Sequence, residues 1–262
     1  MRAFCFLLVF SCMPSPALAE PIDFTRFNLV DLSHNYNANT IYWPTERTGF
    51  ELESESFGMS DGGYFYSANR FSTPEHGGTH LDAPVHFAEQ GWSLDEIPID
   101  RFFGSAIVID VSAKVNTKRD YRLSVTDVEQ FEKVHGRIGA GTMVLMRTDY
   151  SRLWTDRSKY LGSDKIGDAS DLHFPGFGEA AAQLLIQDRQ VKAIGIDTAS
   201  IDYGQSKDFI VHRIAGKHNI LGFENLTDLE QLSPVGSSLI ALPMKIGGGS
   251  GGPLRIIALV PK

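Results

Sequence analysis

One twelve-residue stretch constrains this chain more than any other: His76-Gly-Gly-Thr-His-Leu-Asp-Ala-Pro-Val-His-Phe87. Three histidines and one aspartate, at positions 76, 80, 82 and 86, fall within eleven residues. Imidazole nitrogen and carboxylate oxygen together suit zinc, manganese, iron or cobalt. A helix is disfavoured, because two glycines and a threonine are weak helix formers and Pro84 ends a helix. We therefore predict an irregular turn that gathers its polar side chains around one ion, in preference to a histidine-rich surface loop.

The amino terminus has the features of a secretory signal peptide. Arg2 is followed by an apolar run over residues 3–13 and by the small-residue pattern Ala17-x-Ala19, which predicts cleavage after Ala19. The apolar run is too short to span a bilayer. We predict a signal peptide over residues 1–19 and a periplasmic or secreted protein, in preference to a cytoplasmic chain with a disordered start.

The remaining residues, 20–262, have the length of one well-buried domain. The chain has two cysteines, Cys5 and Cys12, and both lie in the leader, so no disulfide and no cysteine nucleophile is expected in the mature protein. The formal net charge is −8, and it becomes −9 when Arg2 is removed with the leader. Since no basic cluster is present, neither nucleic acid nor an anionic membrane is an expected partner.

The distribution of apolar residues predicts an α/β fold. Helical spacing is convincing in two segments, 124–134 and 177–190. Runs of strand length are more numerous, and they cover residues 27–33, 64–71, 105–111, 142–146, 191–197, 237–244 and 253–260. A strand, a crossover helix and a strand over 142–197 predict parallel pairing. We expect a single domain with a mixed sheet, partly closed like a barrel, and few outer helices.

Three segments have the composition of loops. Residues 35–55 contain Tyr42 and Trp43, which are either core cover or one wall of a pocket. The polar segment 156–175 has the length of a lid or binding loop. The glycine run 247–252 is not a phosphate-binding loop, because it lacks Gly-Lys-Ser/Thr and precedes Pro253 and a strand. We predict a flexible or closely packed turn there.

Further metal donors lie far downstream, at His212 and Glu224. From the residues alone each is ambiguous, although a glutamate between Phe223 and Leu226 is costly to bury unless it meets a cation. For the other histidines of the mature chain an ordinary structural role is the better interpretation; these are His34, His135, His173 and His218.

The pattern His76-x-x-x-His80-x-Asp82-x-Pro84-x-His86-Phe87 resembles the signature of the metal-dependent cyclase family, which includes bacterial kynurenine formamidase and isatin hydrolase. The resemblance extends over residues 29–260. It implies a swivelling β/β/α fold of the kynurenine formamidase kind and a homodimer or larger assembly. It also implies metal binding by His76, His80 and Asp82, with His86 near the reacting bond. In that family a histidine and a glutamate twelve residues apart complete the site, as do His212 and Glu224 here.

Within the family, the chain is more similar to the isatin hydrolase branch. It shares Ile-Asp-Thr at 196–198 with the formamidases, but continues Ala-Ser-Ile-Asp-Tyr-Gly where they have Pro-Ser-Val-Asp-Pro. The glycine-rich turn at 247–252 and the insertion around 149–154 also differ from the formamidases.

The expected activity is hydrolysis of an amide by metal-activated water. We favour manganese, because Asp82 and Glu224 give an oxygen-rich ligand set, and zinc remains the alternative. His86 would act as general base and then acid, while Trp43 and Tyr66 would stack on a small, planar aromatic amide. Opening a cyclic amide, as from isatin to isatinate, is the leading prediction.

Other functions stay open beside this prediction. The same chemistry would serve an arylformamidase acting on N-formylkynurenine, or a lactone hydrolase. A periplasmic metal-binding or ligand-binding protein without catalysis is the alternative from another class. His86 speaks against the latter, since a binding site needs no further polar group two residues beyond Pro84.

Overall fold

The computed structural model describes residues 22–262, and the predicted signal peptide of residues 1–19 lies outside the described residues. Strands outnumber helices in the described chain. The strands are β1 (Phe27–Asp31), β2 (Glu51–Met59), β3 (Phe65–Ser72), β4 (His80–Asp82), β5 (Phe103–Asp110), β6 (Arg122–Leu123), β7 (Met143–Arg147), β8 (Gly176–Phe177), β9 (Ala193–Ile196), β10 (Leu221–Glu224), β11 (Ser237–Pro243) and β12 (Gly251–Pro261). The helices are α1 (Ser112–Val115), α2 (Val125–His135), α3 (Arg157–Leu161), α4 (Glu179–Gln183) and α5 (Ile210–Lys217).

The main sheet closes into a seven-stranded barrel. Its strand order is β1-β12-β11-β5-β7-β9-β10-β4, and β4 also pairs with β12. The neighbours among β5, β7, β9 and β10 run parallel, whereas the remaining pairs are antiparallel. The predicted single α/β domain with a mixed, barrel-like sheet and few helices is thereby confirmed.

Alternate residues of the central strands enter two separate cores. On β7, Met143 and Leu145 face one apolar cluster, while Val144 and Met146 face the other, where the helices pack. All four side chains are fully buried. Because both faces of the sheet are covered here, successive residues of such a strand are all buried, and its sequence is a continuous apolar run.

Both predicted helices are present. A capping box begins α2, in which Ser124 accepts from the main-chain N–H of Asp127 and the Asp127 carboxylate accepts from that of Ser124. The second predicted helix begins as α4 and continues as a π-helix, Leu184–Asp188. Parallel pairing of β7 with β9 agrees with the predicted crossover.

The metal-motif segment differs in part from the predicted irregular turn. Residues 76–79 are irregular, but His80–Asp82 form strand β4 and Pro84–His86 form a short 3-10 helix. The strand forms because β10 and β12 flank it on both sides and supply its hydrogen-bonding partners. This tertiary pairing overrides the weak local propensity of three residues.

Strands β2 and β3 form an antiparallel hairpin outside the barrel. The sequence predicts β3, whereas β2 lies mostly in a segment that was expected to be a loop. The hairpin exposes large apolar side chains that include Phe57, Met59, Tyr64 and Phe65. Among residues 22–262, no helix combines the length and the apolar character that crossing a membrane requires.

Candidate metal centre and active site

Strand β4 carries two of the predicted ligands, and its neighbour carries a third. His80 and Asp82 are two positions apart, so their side chains leave the strand on the same face. Leu81 between them is fully buried in the barrel core on the other face. In the antiparallel pairing with β10, His80 lies directly opposite Glu224. Sheet register therefore brings together residues that are far apart in sequence.

His212 reaches the same point from the buried face of α5. Its Nδ1 lies 2.7 Å from Oδ2 of Asp202, and Asp202 also accepts from the main-chain N–H groups of Val211 and His212. Because an ionised carboxylate only accepts, Nδ1 of His212 carries hydrogen. Its Nε2 then faces Asp82 and Glu224, at 3.3 and 3.1 Å from their oxygens.

The five predicted ligands form two overlapping groups, His76–His80–Asp82 and Asp82–His212–Glu224. Within each group the candidate ligand atoms lie within 4.8 Å of one another. The Asp82 carboxylate belongs to both groups, and its Oδ1 lies 2.7 Å from Nδ1 of His76. The arrangement can hold one ion or two ions bridged by Asp82.

Two buried atoms at the centre of the site fit a cation. Nε2 of His80 and Oδ2 of Asp82 are inaccessible to solvent and have no hydrogen-bond partner in the described part of the chain. An unsatisfied buried polar group costs about 1–3 kcal/mol, and a divalent cation between these atoms would satisfy both. Nitrogen and carboxylate donors are the ligands that zinc and manganese accept.

The electrostatics of the site also favour a cation. Burial acts to lower the pKa of His80, but the charges of Asp82 and Glu224 outweigh it and raise that pKa to about 9. Burial and the neighbouring Asp82 charge raise the pKa of Glu224. The pKa of Asp82 is lowered, because the surrounding histidines outweigh its burial. In the absence of metal the carboxylates therefore keep the imidazoles protonated. A divalent cation would replace those protons.

The glycine-rich turn packs against His76. Nε2 of His76 lies 2.9 Å from Oγ of Ser250, and that hydroxyl donates to Glu75 at 2.6 Å. A Cβ atom at Gly251 would lie 2.5 Å from Cε1 of His76, so only glycine allows this close approach. Of the turn at 247–252, residues 249–252 are closely packed as predicted, whereas Gly247 and Gly248 are exposed.

His86 lies beside the ligands. Its ring stacks on His76, with centroids 3.8 Å apart and an interplanar angle of 18°. Burial, together with the neighbouring histidines, lowers the pKa of His86 to about 4, although the charge of Asp82 acts to raise it. The imidazole is therefore neutral near pH 7 and able to accept a proton.

A cavity of about 220 Å³ opens onto these residues. Its floor includes His76, His80, His86, His212 and Glu224. The apolar and aromatic part of its wall includes Ile41, Tyr42, Trp43, Phe87 and Phe209, and the ring of Phe87 lies 4.6 Å from that of His212, by centroids. The site therefore combines candidate metal ligands with a surface that suits a flat apolar molecule.

Phe209 has an unusual backbone conformation. It precedes α5 with φ 49° and ψ 44°, the left-handed region that a bulky side chain rarely adopts. Its ring lies 5.3 Å from that of Phe87 and 6.0 Å from that of Trp43, by centroids. Strained backbone of this kind is concentrated at functional sites, and here it belongs to the aromatic wall.

The two predicted substrate contacts lie in different places. Trp43 lines the cavity, as expected. Tyr66 does not, and its prediction is corrected here: it lies on β3 of the external hairpin and is 53% exposed. The hairpin leaves the barrel before the metal motif begins, so proximity in sequence does not bring Tyr66 to the cavity.

The remaining histidines of the described chain belong neither to the ligand groups nor to the cavity wall. His34 stacks on Trp154 with centroids 4.0 Å apart, and burial lowers its pKa to about 4. His173 pairs with Asp120. His218 donates from Nδ1 to the carbonyl of Ile214, and His135 is exposed. Ordinary structural roles describe these contacts.

Several residues of the site give no signal in the sequence. Phe209 lines the cavity, while Asp202, Ser250 and Asn225 hold the ligands or their loops. Ser250 and Asn225 act across more than 140 residues of sequence through tertiary contacts. Asp202 stands at the aspartate of the Pro-Ser-Val-Asp-Pro pattern, and that shared residue is the one local feature that could have identified it.

Comparison with known proteins gives consistent results. A family model described as "Putative cyclase" matches residues 30–203. Isatin hydrolase from Roseibium aggregatum is 34% identical over 209 residues, which cover 76% of this chain and 77% of that protein. Kynurenine formamidase from Salinibacter ruber is 28% identical over 229 residues, which cover 87% of this chain and 96% of that protein.

The fold is similar to that of a solved relative. Isatin hydrolase A from Ralstonia solanacearum superposes with a TM-score of 0.82 at 35% sequence identity. The superposition covers 96% of this chain and 100% of that one.

Proposed function

This chain belongs to the cyclase family and is a metal-dependent hydrolase, and from that premise we propose that it opens the ring of a cyclic aromatic amide of the isatin type. The observation that carries the proposal is one cavity lined by aromatic side chains, by His86 and by four of the five candidate ligands. The fifth ligand, Asp82, contacts three of those four. A flat bicyclic amide bound in this cavity would contact the aromatic side chains and present its carbonyl to the ligands.

The ligand set supports a divalent metal ion. His76, His80 and Asp82 would hold a divalent cation, with His212 and Glu224 completing the site or holding a second ion. The bound cation would supply Lewis-acid activation of water and of the amide carbonyl. Two carboxylates among five ligands favour manganese over zinc.

His86 would move the proton. Its neutral ring lies beside His76 at the cavity floor, and it accepts a proton from the attacking water. After the carbonyl carbon–nitrogen bond breaks, the same imidazolium returns that proton to the leaving nitrogen. The products of isatin opening are then a carboxylate and an aromatic amine on one ring.

A substrate panel tests the proposal. Metal-free protein is reconstituted with Mn²⁺ or Zn²⁺ and assayed by absorbance with isatin, N-formylkynurenine and simple lactones. We expect the highest kcat/KM with isatin. Faster turnover of N-formylkynurenine would replace this reading with the arylformamidase function, which relatives such as the Salinibacter ruber enzyme support. Metal binding without turnover of any substrate would favour a binding protein.

We also propose export to the periplasm, on the basis of the leader at residues 1–19. The boundary between this leader and a single domain over 20–262 has a direct test. Protein recovered from a periplasmic fraction should begin at Glu20 when its amino terminus is sequenced. A chain that retains Met1 in the cytoplasm would contradict the assignment.

A homodimer built on the β2–β3 hairpin completes the proposal. An isolated two-stranded sheet is marginal in water, and this one exposes seven large apolar residues by 50–79%: Leu52, Phe57, Met59, Tyr64, Phe65, Tyr66 and Phe71. Burying them would remove roughly 800 Å² per chain, the share of one partner in a standard interface. A second copy is the favoured occupant, because the acidic side chains of β2 disfavour an anionic membrane.

Sedimentation tests this interface. Phe57→Glu combined with Phe65→Glu should convert the dimer to monomer. The matched control is Ile166→Glu, at a residue that is 85% exposed outside the hairpin, and it should leave the dimer intact. A monomeric wild-type protein would remove the proposal.

A further inference from the structure

Asn225 joins two parts of the candidate metal centre. It follows Glu224 at the end of β10, is 2% exposed and has left-handed backbone with φ 54°. Its carbonyl accepts from Oγ1 of Thr79 at 2.6 Å, and its N–H donates to the carbonyl of Thr198 at 2.8 Å. Its main chain thus ties the strand that carries Glu224 to the loop before His80.

The side chain of Asn225 adds a second connection. Nδ2 donates to the carbonyl of Gly78 at 2.7 Å, and Oδ1 accepts from the hydroxyl of Tyr160 at 2.8 Å. A carbonyl oxygen only accepts, so the amide nitrogen must face Gly78 and the amide oxygen must face Tyr160. Tyr160 lies on α3 and is fully buried.

The Gly78 carbonyl also holds a metal ligand. Nδ1 of His80 lies 3.0 Å from it, so this nitrogen carries hydrogen. The other nitrogen, Nε2, then faces the carboxylates of Asp82 and Glu224 at 3.2 and 3.4 Å. A single peptide oxygen therefore receives the Asn225 amide and fixes the orientation of the His80 ring.

The Gly78 peptide has little freedom of its own. Gly78 has φ 59°, and a Cβ atom there would lie 2.5 Å from Cζ of Tyr36. The Tyr36 hydroxyl meanwhile lies 2.7 Å from the carbonyl oxygens of both Gly77 and Thr79, and its single hydrogen is shared between them. Donors therefore lie against all three successive carbonyls of residues 77–79.

We infer that Tyr160, Asn225 and the Gly78 carbonyl form a clamp that positions His80 for metal binding. Tyr160 orients the amide of Asn225, the amide orients the carbonyl, and the carbonyl holds Nδ1 of His80. The clamp rests on the proposed metal centre, and it extends that centre to α3. The segment 156–175 is thereby coupled to metal affinity through one hydroxyl.

Asn225→Gly tests the clamp. Glycine keeps the left-handed backbone and the main-chain hydrogen bonds, so the variant loses the side-chain amide alone. Asn219→Gly is the matched control, since Asn219 has the same conformation, φ 53°, and its Oδ1 accepts a hydrogen bond from Trp92 outside the site. Removing partners that orient a ligand typically weakens metal binding by about 10–100-fold.

Metal dissociation constants, measured by chelator competition, supply the main readout. We expect Zn²⁺ and Mn²⁺ to bind about 10–100-fold more weakly to Asn225→Gly, and to bind Asn219→Gly as they bind wild type. Tyr160→Phe removes a single oxygen and should weaken binding in the same direction by a smaller factor. Wild-type affinity in both Asn225→Gly and Tyr160→Phe would overturn the clamp.

A second readout needs no metal. The Nδ1–H proton of His80 should give a downfield resonance that exchanges slowly with solvent in the metal-free protein, and faster in Asn225→Gly. If wild type bound no metal, the proposed function would fail, and this resonance would still report on the clamp. Equal exchange rates in wild type and variant would overturn it.

Discussion

Asp82 contacts three of the other four ligands. Nitrogens of His76, His80 and His212 lie 2.7, 3.2 and 3.3 Å from its oxygens. A carboxylate among three imidazoles keeps its negative charge, which explains why the pKa of Asp82 is lowered although the group is buried. The pKa of the other carboxylate, Glu224, is raised by its burial and by the nearby negative charge of Asp82.

His86 should be separable from the ligands by mutation. We expect His86→Ala to keep the wild-type metal content while kcat falls by roughly 10²–10⁴-fold, the typical effect of losing a general acid–base group. His80→Ala should lose metal and activity together. Elemental analysis and steady-state kinetics on the two variants make the comparison.

The pH–rate profile sharpens this prediction. A proton-transfer role for His86 requires that the variant lose one limb of the profile. If His86→Ala instead lost about one ion per chain and recovered activity with added metal, His86 would be a ligand. The base would then be reassigned to a carboxylate of the site, with Glu224 as the first candidate.

Asp197 makes stability depend on pH. Burial raises its pKa to about 7, although Thr148 donates two hydrogen bonds to it. In the unfolded chain the pKa is about 3.9, so the stabilising contribution is complete below about pH 4. It is lost progressively as the pH rises from about 4 to about 7, because the unfolded chain releases a proton there that the folded state retains.

Asp197→Asn should remove this dependence. Between pH 5 and pH 8 the free energy of unfolding of wild type should fall by about 2–3 kcal/mol more than that of the variant, at 1.36 kcal/mol per pKa unit. Urea denaturation at several pH values measures the difference. Parallel profiles for the two proteins would show that Asp197 is ionised in the folded state throughout.

Helix α5 begins at a strained residue. Phe209 holds the left-handed conformation while its ring lines the cavity, and α5 then delivers His212. Glycine tolerates this backbone and alanine does not, by about 1–2 kcal/mol. Phe209→Gly and Phe209→Ala should therefore raise the KM for a planar substrate by similar factors. Phe209→Gly should unfold at a higher urea concentration than Phe209→Ala. Equal unfolding midpoints would mean that the backbone there is unstrained.

Apolar runs could be predicted as strands from the sequence, whereas the polar strand β2 and the shortest elements could not. The runs that became β5 and β7 bury alternate side chains in the two cores, and those that became β11 and β12 bury one face in a single core, so their apolar content is high. The strands β4 and β10 have three and four residues, and their pairing comes from tertiary contacts. Helix α5 has eight residues, too few for a clear helical period.

Some residues of the site could likewise be predicted from the sequence, and others could not. His76, His80, Asp82 and His86 are close in sequence and could be found from their spacing. His212 and Glu224 remained ambiguous until the family spacing resolved them. The positioning residues and the aromatic wall depend on how distant elements meet, and no local pattern encodes that meeting.

The strand that closes the barrel is also the strand that carries two of the candidate metal ligands. Strand β4 is the segment that joins β10 to β12, and it carries His80 and Asp82. With no cation bound, the closed barrel holds the carboxylates of Asp82 and Glu224 in one buried pocket. Metal binding should therefore stabilise the whole fold and not the motif alone.

Chelation should lower the melting temperature of the protein, and Mn²⁺ or Zn²⁺ should restore it. At a free metal concentration 100 times the dissociation constant the stabilisation is about 2.7 kcal/mol, or roughly 5–10 °C for a domain of this size. Differential scanning calorimetry of metal-free and loaded protein gives the shift. His80→Ala should lose it, whereas His135→Ala, which alters an exposed histidine outside the site, should keep it in full. An equal shift in His80→Ala would mean that the stabilising ion binds elsewhere, because without His80 the set of ligands is incomplete.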